Sequence, residues 1–215
     1  TPSSRGLGDV YKRQVHIVGN GDHSTIYLAK PRYGMKLTCN LPPFNVEGRY
    51  ATMIVDFKMM KAIHEGSIVV PGEWIVGYRP KLYLEKFTSL HMKVGPQIKE
   101  FYTVLPEYVA NYTDFNCGHM AVHYACNRVK ATEIHMYGFD SIFDFNLRSC
   151  TDFYLGSDRG GNNNIRLAGN WRPVWMNMFN EFPDTKFFLY HSHDALKFPV
   201  GSNVKVVTDQ KMPKS

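Results

Sequence analysis

The sequence predicts an α/β fold, a mostly parallel sheet flanked by helices in a single domain. Two observations carry this. Short apolar runs that favour strands alternate with segments of helical period, the pattern of β-α-β units joined by right-handed crossovers. The strands also run out into glycine, asparagine and aspartate, as in VHIVGNGDHS at 15–24, which is the loop chemistry of a sheet edge.

Val15 to Gly19 reads as a buried strand, MKLTCN at 35–40 as a second that stops before the breaker LPPF, and YATMIVDF at 50–57 as a third that runs into the helical FKMMKAIHEG. The apolar run SIVVP at 67–71 is a fourth strand candidate. Residues 72–115 mix Pro, Gly and aromatics without a clean period, and a helix is expected near Pro96 to Val104. Gly118, Ala121, Val122, Ala125 and Val129 recur at helical spacing, a small-residue stripe suited to close packing on a sheet. Glu133 to Tyr137 is then a strand with Gly138-Phe139-Asp140 as its carboxyl-end loop. Residues 141–169, rich in Gly and Asn, read as a lid-like loop. Trp171 to Phe182 reads as a helix with Pro173 in its first turn, and KFFLYH at 186–191 as the last core strand.

The first fourteen residues, TPSSRGLGDVYKRQ, show no apolar periodicity and resemble the translation of a sequencing adapter. They are expected to be a non-native leader, with one domain over 15–215 from an environmental or phage source. With Arg5, Lys12 and Arg13 against Asp9, the leader supplies two of the six net positive charges. The remaining charge is scattered, which argues against a nucleic-acid face and is compatible with an anionic ligand. Four cysteines without a CxxC pair point to a reducing, cytoplasmic setting and to buried thiols. The longest apolar runs fall far short of the ~20 residues of a membrane span.

Three strand ends are expected to meet at one edge: Gly19-Asn20-Gly21-Asp22, Asn40, and Gly138 with Asp140. There glycines permit close backbone approach and side-chain amides can bond a base or ribose. The helix starting at Cys117-Gly118 would aim its amino end at the same crevice, suited to phosphate. His119 and His123 have the i, i+4 spacing of a zinc pair, but HMAVH lacks the glutamate of HExxH, and no metal site is expected. His123 is placed on the helix surface, while His16 and His135 alternate with apolar neighbours as structural residues. Phe143, Phe145, Phe153, Tyr154, Trp171 and Trp175 are read as core or lid packing rather than a sugar pocket.

VHIVGNGDHS, the strand ending in CN at 39–40, and CGHMAVHYACNRVKATEIHMYGFD together resemble the compact bacterial and phage sialyltransferases and their uncharacterised relatives. The resemblance implies a Rossmann-like glycosyltransferase that takes a sugar from a CMP-sialic-acid-like donor to a glycan acceptor, inverting and without a metal or other cofactor. Asn20 and Gly21 match the family's first-loop pair, Asn40 its nucleotide-contacting asparagine, Cys117-Gly118 its Ser-Gly helix start and Asp140 its strand-ending aspartate. Asp22-His23 stands where Pro-Ser is usual, and Cys117 replaces a serine. The family's loop histidine, which takes the acceptor proton, has no counterpart, because no histidine lies between His135 and His191. His191 and His193, two apart beside Asp194, are therefore the candidate bases, with Tyr154 and Arg148, Arg159 and Arg166 closing over the leaving phosphate.

Two other readings share this scaffold. A pyrophosphokinase-like phosphotransferase would hold Mg²⁺ on carboxylates such as Asp22, Asp56 and Asp140. A non-catalytic nucleotide- or glycan-binding protein of phage origin would bind without turnover.

Overall fold

In a computed structural model the described residues are 13–144 and 162–208, the side chains of 162–167 excepted. They form one eight-stranded, all-parallel sheet. Its strands are β1 (Gln14–Val18), β2 (Met35–Cys39), β3 (Ala51–Ile54), β4 (Trp74–Val76), β5 (Ile98–Phe101), β6 (Glu133–Tyr137), β7 (Lys186–Tyr190) and β8 (Val204–Val207), in the order β5-β4-β3-β2-β1-β6-β7-β8. The α/β, Rossmann-like architecture is therefore present. β1 lies at the centre, and the chain turns from one half of the sheet to the other between β1 and β6. In open α/β sheets ligands bind at such a switch point, outside the carboxyl ends of the strands.

Side chains alternate between the faces, as the pleat requires. Val15, Ile17, Leu37, Met53, Ile134, Met136, Phe187 and Leu189 face one core, which also contains Met120, Ala121, Val122 and Ala125 of α4 (Cys117–Asn127) and Trp175, Met178 and Phe179 of α5 (Asn162–Glu181). The small residues of α4 let it lie across β1, β2 and β3. On the opposite face Ile54, Trp74 and Val76 pack with Met59, Met60 and Ile63 of α1 (Phe57–His64), Leu84 of α2 (Tyr78–Lys86), and Leu90 and Val94 of α3 (Thr88–Val94). Under β1, β6 and β7, Val18, Tyr137 and Tyr190 are covered by Ile26 and Tyr27 of a 3-10 segment, Asp22–Ala29.

Several expected elements differ. Residues 67–71 form no strand, although Ile68 and Val70 are buried, and the fourth strand is the three-residue Trp74–Val76. The helix expected near Pro96 to Val104 is strand β5, preceded by a single 3-10 turn at Gly95–Gln97. β8 adds an edge strand beyond the one expected to be last. α5 begins at Asn162, nine residues before the expected start, so Pro173 lies inside it on an exposed position where its missing N–H removes one helical donor. The expected lid at 141–169 is thus partly 3-10 turn and partly helix, and the rest of it lies outside the described residues. β1 begins at Gln14, inside the expected leader, and the Arg13 carbonyl accepts from Thr132 N.

Candidate functional site

The loops after β1 and β6 are built against each other. Gly19 N donates to Tyr137 O at 2.7 Å and Gly21 N to Gly138 O at 3.0 Å. A Cβ on Gly19 would stand 2.9 Å from Gly138 O, and one on Gly21 2.7 Å from Asp140 Cγ. Gly138 has φ +78° and backs onto Ser24, a left-handed position that side chains resist. These glycines therefore bring the two loops together, and the amides of Gly19 and Gly21 are engaged within the protein. Asn20 ties the β1 loop to the next one, its Nδ2 donating to Leu41 O.

Asn40 follows β2 in a left-handed conformation, φ 52°, and its Oδ1 accepts from Cys117 Sγ at 3.0 Å. Burial pushes the Cys117 thiol well up, so it remains a protonated donor. Cys39 and Cys126 are likewise buried, with thiols pushed up to about 12. At the start of α4, Asn116 caps the helix: its Oδ1 accepts from His119 N, and its own N–H donates to His119 Nδ1. His119 takes the part that Glu or Gln plays in a capping box, and its Nε2 donates to Trp171 O. Gly118 lies under Phe139, whose ring would be 2.5 Å from an added Cβ.

The carboxyl edge above β1, β6 and β7 gathers five ionisable side chains, His23, Asp140, Asp144, His191 and His193. Asp22 opens the 3-10 segment with its residue exposed, and His23, next in sequence, turns inward. His23 Nδ1 lies 3.2 Å from Asp140 Oδ1, and its Nε2 lies 2.8 Å from Ser192 Oγ. After β7, His191 Nε2 meets Asp144 Oδ2 at 2.9 Å, and His193 Nε2 meets Asp144 Oδ1 at 3.0 Å. Asp144 is placed by the 3-10 turn Asp140–Ile142, and Arg172 of α5 holds that turn through Ser141 O and Asp144 O. Phe143 stacks on His191 at 4.0 Å, and His191 is fully buried.

The electrostatics divide these groups. The hydrogen bond to Asp140 raises the His23 pKa against the opposing effect of burial. Burial, with the His23 charge alongside, lowers that of His191 despite Asp144. For Asp144 burial acts upward, but its bonds to His193 and His191 outweigh it and hold the carboxyl below its ordinary range. The site thus carries an ionised Asp144 with two imidazoles donating to it. His193 is the half-exposed member, and its Nδ1 accepts from the Ala195 N–H at 3.2 Å.

A second recess lies on the same edge above β3, β4 and β5. It is shallow, enclosing about 10 Å³, and is bounded by Val55, Gly77, Arg79, Tyr102 and Phe115, with Tyr78 and Tyr112 stacked at 4.8 Å. Arg79 Nη2 pairs with Asp56 at 3.0 Å, while its buried Nε meets no acceptor among the described residues.

Comparison with protein-family models, with curated proteins and with solved structures finds no match.

Of the expected site residues, the β1 and β6 loops bring together Gly19, Gly21, Gly138 and Asp140, and the strand after them adds His191 and His193. Asn40, Cys117 and Gly118 form a second group at the α4 terminus. Tyr154, Arg148 and Arg159 lie outside the described residues, as does the side chain of Arg166. Asp22, Asp56 and Asp140 do not assemble into one ligand set, since Asp56 pairs with Arg79 and Asp140 with His23. His123 is buried rather than on the surface, with Nδ1 on Tyr102 Oη and Nε2 on Glu181. Phe143, Trp171 and Trp175 are core residues. Sequence reasoning passed over His23, Asp144 and Arg79 as site residues. The one signal for His23 was its place in a loop where the resembled family carries another residue.

Proposed function

We propose that the carboxyl edge of the sheet binds a nucleotide-activated sugar, of the cytidine type by the resemblance above, and that the chain is a glycosyltransferase. The observation that carries this reading is the His193–Asp144 pair at the switch point, a half-exposed imidazole held in one tautomer by an ionised carboxylate. This supplies the base that the loop sequence lacks. The acceptor hydroxyl takes the place of the Ala195 N–H at His193 Nδ1 and gives that nitrogen its proton, its oxygen bonds to the anomeric carbon, and the bond from that carbon to the phosphate breaks with its electron pair on the leaving nucleotide. His191, buried behind Asp144, positions the carboxylate and does not touch substrate. The Arg79 recess and the amino end of α4 suit the nucleotide's anionic part, and Asn40 the base.

The test is a thermal-shift panel of the full chain with CMP, CDP, UDP, GDP and ATP, with and without Mg²⁺, followed by an acceptor screen. A ligand bound only by the native state raises the melting temperature as RT ln(1 + [L]/Kd). The expected result is stabilisation by CMP and turnover that His193→Ala abolishes while the CMP shift persists. Stabilisation by ATP and Mg²⁺ alone, or by none of the five, overturns the reading.

A further inference from the structure

Three polar atoms converge at the buried end of this edge, His23 Nδ1, Asp140 Oδ1 and His191 Nδ1, and none of them has a well-aligned hydrogen bond among the described residues. The carboxylate oxygen stands 3.2 Å from His23 Nδ1, a contact that becomes a bond when His23 is protonated, and 3.8 Å from His191 Nδ1. His191 is fully buried and Asp140 is 7% exposed, so two of the three are cut off from bulk water. Buried donors and acceptors left unmet are costly, and a native site that gathers three of them calls for something to satisfy them.

We propose that His23, Asp140 and His191 form a site for a divalent transition ion of the Zn²⁺ type, with a bound water as the fourth ligand. The ligand spacing fits. Bonds of 2.0–2.1 Å in a tetrahedron place neighbouring ligand atoms about 3.3 Å apart, between the two distances observed. The donor chemistry fits as well: two imidazole nitrogens and one carboxylate suit zinc, iron or cobalt, whereas magnesium takes oxygen ligands.

The outer partners give the strongest support. A metal-bound histidine uses one ring nitrogen as ligand and donates the other N–H to a carboxylate, carbonyl or hydroxyl, which fixes the tautomer. His191 is already arranged this way, with Nε2 turned to the acceptor-only Asp144 carboxylate and Nδ1 inward, and His23 has the Ser192 hydroxyl beside its Nε2, able to accept that N–H, with Nδ1 inward. His119 and His123, spaced as a zinc pair in the sequence, have both ring nitrogens of each engaged by protein. The neighbouring group Asp144, His191 and His193 also lies within ligand distance, but its facing atoms already bond one another.

This site is independent of the sugar-transfer reading and departs from the metal-free expectation drawn from the resemblance. It is tested on the untagged full chain by titration with Co²⁺, followed by visible absorption and equilibrium dialysis, with Zn²⁺ as competitor. The expected result is one ion per chain with the d–d bands of a four-coordinate nitrogen and oxygen site, displaced by Zn²⁺. His23→Ala and Asp140→Asn, each checked for native circular dichroism, should weaken binding by at least the tenfold or so that follows loss of a second-shell partner. His193→Ala should bind as tightly as the parent. No saturable Co²⁺ or Zn²⁺ binding by the parent chain overturns the proposal. Binding that survives both His23→Ala and Asp140→Asn, or that His193→Ala abolishes, also overturns it, the latter by assigning the ion to the Asp144 group.

Discussion

His119 and His123 ride on the helix that crosses the sheet, with all four ring nitrogens bonded to protein. His23 and His191, at the carboxyl edge, each have one ring nitrogen bonded and the other turned toward Asp140. The first pair is close in sequence and serves the fold; the second is 168 residues apart and is left with something to do. Burial does not separate them, since His191 is as buried as His119. What separates them is whether the surrounding groups complete the imidazole's hydrogen bonds. A completed ring stabilises a helix end or a core, and an incomplete one is a binding element.

The largest effect that sharpens this contrast is acid sensitivity. Burial lowers the pKa values of His16 and His119 to about 3, so both stay neutral in the folded chain while the unfolded chain protonates them near 6.5. Stability is therefore complete above pH 6.5 and falls as pH drops from there toward 3, by about 2 kcal/mol for each histidine at pH 5. Melting curves from pH 8 to pH 4.5 should show the loss, and His119→Gln, which can still accept from the Asn116 N–H, should make it shallower. An unchanged slope in that variant would remove His119 from the account.

Next in size is His119→Ala, which empties core volume and strands the Asn116 N–H; it should cost about 3 kcal/mol in chemical denaturation. His23→Ala, at the open edge, should cost less than half of that, and a larger loss would mean that the His23–Asp140 contact is structural. Gly138→Ala forces a side chain into a left-handed position against Ser24 and should cost about 2 kcal/mol, loosening the junction of the β1 and β6 loops. The smallest effect is Asn116→Ala, about 1 kcal/mol for a lost N-cap. It should leave Co²⁺ binding unchanged, because the cap belongs to the fold-supporting group.

Much of the scaffold was legible in the chain. The first three strands and the sixth and seventh are apolar runs that stop at or near Gly, Asn, Asp or His, and α4 carries its small-residue stripe, so period and punctuation located them. The middle of the chain was not legible in this way. Trp-Ile-Val at 74–76 is too short to show alternation, and Ile-Lys-Glu-Phe at 98–101 holds two charges at an edge where solvent accepts them. Val70 and Ile68 looked like a strand because they are buried, but they reach the core from a loop below Trp74, whose indole N–H bonds Val70 O. The site was half legible: the edge loops and the His191–His193 pair stood out, whereas His23 showed only as a departure from the resembled family and Asp144 not at all.

The chain alone determined that its strands alternate with helices, that several of them end in glycine- and asparagine-bearing loops, and that an imidazole pair follows β7. Those are local properties, fixed by side-chain periods of 2 and 3.6 residues and by glycine's freedom. Only the tertiary structure decided that β6 lies between β1 and β7, which sets residues 23, 140 and 191 around one point. It also decided which histidines find their partners, because a ring's hydrogen bonds come from elements distant in sequence.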